Sequence, residues 1–175
     1  QRRVLDQQNL YGAVTVHLGN PLETMFPDYV GNMIFVDQNT LGSFDPAVIR
    51  HLYRSVRPYG GVLHILATGR RQEIAAAIEE MQLEQAKVQV HAHGVSVNRV
   101  GALPGSADWT HQYGDVANSI KSDDRRVKLP LGVLWFGGSS NMDVLPRHGH
   151  GPPEQVIGGR LYIQGMNRLS ARDVY

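Results

Sequence analysis

The segment between residues 31 and 67 constrains the fold most, because it reads as a strand, a helix and a second strand in direct succession. "GNMIFVD" (31–37) and "GVLHILA" (61–67) are short, continuous apolar runs, which are typical of buried strands. Between them Asp45 is a suitable helix cap and Pro46 a suitable first helical residue. The apolar residues of this helix recur at helical spacing and are Val48, Ile49, Leu52, Tyr53 and Val56.

The neighbouring segments extend the same pattern. Helices are predicted over residues 2–10 and 71–85, and a strand is predicted over 13–19. Residues 87–93 and 95–103 are β-rich and separated by Gly94 alone, which favours an antiparallel hairpin over a crossover. The pattern predicts an α/β fold, mostly parallel, with an antiparallel edge. The expected buried strand residues are Ile34, Val36, Val62, Leu63 and Ile65, flanked by Ile49 and Leu52.

The character of the chain changes after Pro104-Gly105, where we predict a domain boundary. No convincing helix follows, and the polar residues 120–130 are expected to form an exposed connector. Small antiparallel sheets are marginal in water, and an outer strand presents unpaired backbone groups. We therefore expect the last strand to be covered by other polypeptide. The strands predicted here are 131–137, 154–158, 160–165 and 168–174, with turns at Gly158-Gly159 and Met166-Asn167.

Composition excludes several classes of function. Lys and Arg total 17 against 16 Asp and Glu, so the net charge of +1 predicts no nucleic-acid partner. The absence of cysteine excludes disulfides, zinc–thiolate sites and a cysteine nucleophile within these 175 residues. No apolar run approaches the roughly 20 residues of a membrane span. The first residues do not read as a signal peptide, and we expect the chain to be a piece of a longer one.

Three motifs in the first part resemble the C-terminal half of class I S-adenosylmethionine-dependent methyltransferases. "VTVHLGNP" (14–21) is similar to that family's third strand and its turn, and "NMIFVDQN" (32–39) to its fourth strand. "LYRSVRPYGGVLHI" (52–65) resembles the following helix, turn and fifth strand. The hairpin over 87–103 matches the family's closing antiparallel strands. The resemblance implies that residues 1–103 form half of a Rossmann-like domain.

The same resemblance implies a cofactor site at the carboxyl ends of the strands, where open α/β sheets bind ligands. The residues that it assigns to S-adenosylmethionine are Gly19, Asn20, Asp37, Gln38 and Asn39. Asn20 stands where the family usually has an aspartate, and its amide still offers hydrogen bonds to adenine. The family's glycine-rich loop and ribose-binding acidic residue are not found among these residues. The chain alone is therefore expected to bind the cofactor weakly or not at all, and no catalytic residue is predicted.

The second part resembles the start of a quinoprotein-like β-propeller. "DWTHQYGDVANS" (108–119), "LGVLWFGG" (131–138) and "PEQVIGGRLYIQGMNRLSARDVY" (153–175) are similar to the pyrroloquinoline-quinone repeats of that family. The resemblance implies that residues 104–175 form a first blade region, completed by further polypeptide, in an extracytoplasmic or cell-envelope protein. One blade is not expected to bind the quinone. The aromatics expected to pack the blade are Trp109, Tyr113, Trp135 and Tyr162.

Other constellations do not predict a site. His148 and His150 could both ligate a metal, but no third ligand accompanies them, so no metal site is predicted. Ser96, His64 and Asp37 lack the Gly-x-Ser-x-Gly elbow of a hydrolase. Three functions stay open: methyl transfer in a methyltransferase-like protein fused to a propeller, a non-catalytic binding or assembly module, and, more weakly supported, a quinone-dependent dehydrogenase.

Overall fold

The computed structural model describes residues 1–20, 22–24, 26–37, 39, 44–133, 140–145 and 151–175. A single 3-10 turn among the described residues lies at Asn141–Asp143. The helices among the described residues are α1 (Arg2–Gln7), α2 (Pro46–Arg54) and α3 (Arg71–Glu80). The strands among them are β1 (Met33–Asp37), β2 (Val62–Leu66), β3 (Ala86–His91), β4 (Gly94–Arg99), β5 (Gln155–Ile157), β6 (Arg160–Gly165) and β7 (Arg168–Asp173).

The first sheet has the strand order β1-β2-β4-β3 and is mixed. β1 and β2 are parallel, with Met33 opposite Val62, and α2 connects them. β4 is antiparallel to both β2 and β3, so the closing hairpin lies at one side of the sheet, as predicted. The side chain of Asp45 accepts a hydrogen bond from the Ala47 amide at 2.8 Å and caps α2. The α/β class of this part is confirmed.

The core lies between one face of this sheet and the helices α2 and α3. Leu63 and Ile65 of β2 are fully buried, as predicted, against Ile49 and Leu52 of α2. Ile34 and Val36 are only half-buried, contrary to the prediction of a central strand, because β1 is the outermost strand of the described sheet. Val62 is half-buried because it points to the opposite face. The other core residues include Ile74, Ile78, Val95 and Val97.

The second face of the sheet, which we call the open face, carries the alternate residues of each strand. Its central row runs Phe35, His64, Ser96 and Gln89 across the four strands. Met33 and Phe35 are 57% and 61% exposed. Because α2 and α3 both pack on the other face, these apolar side chains have no helix over them among the described residues.

The predicted strand over 13–19 is wrong. Val14 makes only an isolated bridge to Tyr11, and Leu18 is 100% exposed. A β-prone segment forms a strand only where a neighbour supplies hydrogen bonds and packing. Within the described residues, none of the strands lies beside it. Helix α1 likewise stops at Gln7, short of the predicted residue 10.

Two further boundaries differ from the prediction. Helix α3 ends at Glu80 instead of residue 85, and Gln82 and Gln85 then adopt positive φ angles of 49° and 58°, which a helix does not accommodate. The hairpin turns at Ala92 and His93, whereas Gly94 begins β4. Strand β4 ends at Arg99, earlier than predicted.

The second sheet is the antiparallel meander β5-β6-β7, with turns at Gly158-Gly159 and Met166-Asn167 as predicted. Trp109 bridges antiparallel to Val156 of β5, with both backbone N–O distances at 2.9 Å. The predicted strand 131–137 is not formed over 131–133, and its remaining residues lie outside the described residues, as does Trp135. The described residues form a separate antiparallel sheet, and a propeller is not shown.

The two parts of the chain contact each other through β7 and the residues after it. Asp173 pairs with the Arg57 guanidinium, and the Tyr175 ring lies 6.4 Å from Tyr29 and 6.3 Å from Tyr59, measured between ring centroids. The end of β7 therefore contacts the first part of the chain. Among the described residues no strand pairs with its outer edge. The domain boundary at residues 103 and 104 and the pairing with further polypeptide stay predictions.

Candidate functional site

The first predicted site residues lie at the carboxyl end of β1. Asp37 is the last residue of that strand, and its Oδ1 accepts a hydrogen bond from the Asn39 amide at 2.8 Å. Both residues are exposed. Gln38 lies outside the described residues. The turn thus holds one carboxylate oxygen of Asp37 at the edge of the sheet where open α/β sheets bind ligands, and none of the described residues donates a hydrogen bond to the other oxygen.

Gly19 and Asn20 lie on a separate exposed turn. The Asn20 Oδ1 accepts a hydrogen bond from the Leu22 amide at 3.0 Å, and the Asn20 carbonyl accepts one from the Thr24 amide at 3.1 Å. The Asn20 Nδ2 donates to Glu23 Oε1 at 3.4 Å. Both polar atoms of the Asn20 side-chain amide therefore form hydrogen bonds within the turn itself. No hydrogen bond among the described residues joins this turn to Asp37 or Asn39.

A cavity of about 250 Å³ lies at the carboxyl edge of β1 and β2. Arg70 and Glu73 belong to the connection that follows β2 and to the first turn of α3, and Phe44 belongs to the connection from β1 to α2. Both connections leave the sheet at the same edge, because β1 and β2 are parallel. The described residues lining the cavity are Phe44, Arg70, Glu73, Ile74 and Ala77.

The mouth of this cavity carries an ion pair. Arg70 Nε donates to Glu73 Oε2 at 2.7 Å, and a second bond joins Arg70 Nη2 to Glu73 Oε1. The hydrogen bonding to Arg70 lowers the pKa of Glu73, so that carboxylate stays charged at neutral pH. The cavity therefore combines an aromatic side chain with one fixed ion pair. Phe44, Arg70 and Glu73 were not predicted from the sequence, although their positions in the connections after predicted strands could have indicated them.

A second cavity, of about 290 Å³, lies at the N-terminal helix. Its described lining residues are Arg2, Arg3, Asp6 and Tyr11. These residues belong to α1 and the turn after it, and none of them continues a strand of the sheet. The cavity is thus separate in the chain from the carboxyl edge of β1 and β2.

A cluster of polar side chains occupies the middle of the open face. His91 Nε2 lies 2.7 Å from Ser96 Oγ, and the rings of His64 and His91 are 5.8 Å apart between centroids, with an interplanar angle of 40°. Burial, together with the neighbouring His91, lowers the pKa of His64. Ser96 thus bonds to His91 and not to His64, and the Asp37 carboxylate bonds to a backbone amide. The hydrolase-like arrangement of Ser96, His64 and Asp37 is not formed.

The remaining points concern metal and membrane sites in the part of the chain that the structure describes. No group of three or more His, Asp or Glu side chains is arranged to hold a metal ion there. His148 and His150 lie outside the described residues. None of the described helices has the length and apolar character needed to cross a membrane.

Comparisons with known proteins give one weak likeness. No family model matches the chain, and no curated protein matches it. Among solved structures it is similar to a "putative S-adenosyl-L-methionine-dependent methyltransferase" from Methanococcus maripaludis, with a TM-score of 0.41 and 13% sequence identity. The similarity covers 58% of this chain and 62% of that one, which is less than two thirds of its length.

Proposed function

We propose that residues 1–103 supply the adenine side of an S-adenosylmethionine site in a methyltransferase-like protein, and that residues 104–175 belong to a quinoprotein-like propeller. The topology of the first sheet is the observation that supports the first part of this proposal. A parallel β1–α2–β2 unit is closed by an antiparallel hairpin, and a cavity lies at the carboxyl edge of the parallel pair. The resemblance of the motifs at residues 14–21, 32–39 and 52–65 predicts the same cofactor site.

The side chains at that edge suit a purine and its substituents. Phe44 offers a ring for stacking, and Asp37 keeps one carboxylate oxygen for an amino or hydroxyl donor. Gln38 and Asn39 follow in the same turn, and Gly19 and Asn20 complete the set that the resemblance assigns. Bound S-adenosylmethionine would supply an electrophilic methyl group. Nothing in these residues replaces the family's glycine-rich loop, so the fit extends to half of the cofactor only.

The test uses the ¹⁵N-labelled chain titrated with adenosine, S-adenosylmethionine and methionine. We expect weak binding of the first two ligands, with amide shifts at Asp37, Asn39, Phe44 and Arg70, and no shifts with methionine. Asp37→Ala should abolish the adenosine shifts. The matched control is Asp123→Ala, on the exposed connector. Absence of adenosine shifts at millimolar ligand, or shifts confined to other residues, would overturn the proposal, and low-micromolar binding of S-adenosylmethionine would overturn the expected weakness.

The open face favours the second candidate, a non-catalytic binding or assembly module. Met33, Phe35 and Leu66 are exposed apolar side chains on that face, and such residues together mark interaction surfaces. An assembly module would keep its stability and partners when the carboxyl edge is altered. Phe35→Ser separates the two candidates, because it alters the centre of the open face and leaves the turn at Asp37 and Asn39 in place: it should weaken assembly and leave the adenosine shifts unchanged. No observation favours a quinone-dependent dehydrogenase.

A further inference from the structure

We propose that His64 and His91 form a binding site for a divalent transition-metal ion on the open face, with Ser96 beside them. The site is independent of the proposed cofactor site, which lies at the carboxyl edge of β1 and β2. It also differs from the His148 and His150 pair considered from the sequence. The proposal depends on the strand order, which brings together two histidines that are 27 positions apart in the chain.

The placement of the two imidazoles follows from the register of three strands. β4 lies between β2, which carries His64, and β3, which carries His91. His64 is opposite Ser96, and His91 is opposite Gly94. A β-carbon at Gly94 would lie 3.1 Å from His64 Nε2, and His91 Nε2 lies 2.7 Å from Ser96 Oγ. Both Nε2 atoms therefore lie over the same short stretch of β4.

Gly94 makes this convergence possible because it has no side chain between the rings. A β-carbon there would also clash with the carbonyl oxygen of Ile65. The strand thus accepts only glycine at the point where the two imidazoles approach each other. The two imidazoles and the Ser96 hydroxyl therefore lie together over the point where β4 approaches β2 most closely.

The distances suit a shared ion. With a Zn–N bond of about 2.0–2.1 Å, two imidazoles on one tetrahedral ion hold their ring centroids roughly 5 Å apart. The observed centroid separation of 5.8 Å needs only a small ring movement to reach that arrangement. Imidazole ligands select zinc, copper and nickel over magnesium or calcium.

The remaining ligand positions would be filled from outside the histidine pair. No carboxylate among the described residues completes a three-residue set, so water or an external ligand takes those positions. Asn98, two residues after Ser96 on the same face, has a buried Oδ1 without a hydrogen-bond partner. Buried acceptors of this kind are usually satisfied by water. An ion with two protein nitrogens and bound water is consistent with such an environment.

Calorimetric titration of the 175-residue chain with Zn²⁺ and Ni²⁺ tests the proposal. We expect one saturable site, and His64→Gln or His91→Gln should weaken its affinity by at least about tenfold, the lower end of losses seen even for outer-shell partners. His17→Gln is the matched control on an exposed histidine and should leave the affinity unchanged. The double variant His148→Gln/His150→Gln should also leave this site intact. Loss of binding in that double variant, with binding kept in His64→Gln, would overturn the proposal.

A second measurement avoids substitutions altogether. Imidazole ¹⁵N spectra of the unsubstituted chain, recorded with less than one equivalent of Zn²⁺, should show shifts at Nε2 of His64 and His91. A shift at one of these residues alone, or at neither, would contradict a shared ion. This readout keeps its value if a histidine variant folds poorly.

Discussion

The two sheets of this chain differ in what covers them. In the first sheet, Leu63 and Ile65 are buried under two helices, and the strands beside them share that core. In the second sheet, Leu161 and Ile163 are only half-buried, and Leu169 is 75% exposed. Both sheets have well-defined hydrogen-bonded registers. The difference teaches that pairing alone defines a strand, whereas packing on a second layer decides how much that strand stabilises the chain.

The stability of the second sheet depends instead on contacts with other parts of the chain at two places. Trp109 extends β5 by one bridge, and Asp108 accepts a hydrogen bond from the Gly158 amide at 3.3 Å. On the other side, Asp173 and Tyr175 contact the first sheet's loops. Gly159 lies directly against the Tyr59 ring, where a β-carbon would not fit. Among the described residues the meander is therefore attached to its neighbours by a few specific contacts and shares no continuous core with them.

The largest expected effect comes from truncating the centre of the first sheet. Ile65 is 1% exposed, so Ile65→Ala removes buried methyl groups and leaves a cavity. We expect a loss of about 2–5 kcal/mol in the free energy of unfolding, measured by urea denaturation. The control is Leu169→Ala in β7, which should change it by no more than about 0.5 kcal/mol. Equal losses at the two positions would remove the distinction between the sheets.

The second effect concerns the one cationic side chain buried in this core among the described residues. Arg99 Nη2 donates to the Tyr53 carbonyl at 2.7 Å, and Nε donates to the Val56 carbonyl at 2.9 Å. Tyr53 lies in the last turn of α2 and Val56 two residues after its end, where a positive charge is favourable. Arg99→Met removes both side-chain donors and leaves the Val56 carbonyl without a hydrogen bond from the described residues, so it should cost about 1–3 kcal/mol.

Arg54 provides the control for that experiment. Its guanidinium pairs with Asp28 at 2.8 Å, but both side chains are about half exposed. Arg54→Met should therefore cost at most about 1 kcal/mol. If the two variants were equally stable in thermal unfolding, the buried cap would contribute nothing beyond an exposed ion pair.

Much of this contrast could be predicted from the sequence, because it depends on local signals. The capped helix from Asp45, the apolar run ending at Asp37 and the Gly158-Gly159 turn each fix one element. The strand at 13–19 could not be judged in that way, because its residues favour a strand but find no partner among the described residues. Likewise, the half-burial of Ile34 reflects the position of β1 in the sheet, which periodicity does not reveal.

The candidate sites divide in the same way. Asp37 and Asn39 could be assigned to the carboxyl edge because a strand's end is readable from its apolar run. That Phe44 and Arg70 line one cavity cannot be predicted until the connections between strands and helices are placed in space. The approach of His64 and His91 depends on β4 inserting between β2 and β3, with Gly94 at the crossing. No spacing of residues in the sequence indicates that these two histidines approach each other.

The third prediction tests whether the two sheets open independently. Tyr175→Ala removes the ring contacts to Tyr29 and Tyr59. Such aromatic contacts contribute about 0.5–1.5 kcal/mol beyond the area that they bury. We expect faster amide hydrogen exchange in β5–β7, with exchange in β2 and β4 unchanged. Tyr113→Ala, at a tyrosine that is 46% exposed, is the control. A parallel increase in both sheets would mean that they unfold as one unit.

The smallest effect tests the connector that links the sheets, through its response to pH. The Asp124 Oδ1 accepts hydrogen bonds from the Val127 and Arg126 amides, each at 2.8 Å. The bond from Val127, above all, lowers the pKa of Asp124 below its usual value of 3.8. Because the folded state favours the carboxylate, Asp124 stabilises the fold fully above its unfolded pKa. That contribution is lost as the pH falls through the lower folded pKa.

Asp124→Asn should therefore be slightly less stable than the unsubstituted chain at pH 6. The difference should shrink on acidification below about pH 4, near the unperturbed pKa of an aspartate side chain. Asp123→Asn, one position earlier, is the matched control because Asp123 makes only a long exposed contact to Lys121 at 3.7 Å. Thermal unfolding across this pH range measures the difference, and the Val127 amide shift reports the titration directly. A difference that grew on acidification would mean that the protonated carboxyl, not the carboxylate, stabilises the connector.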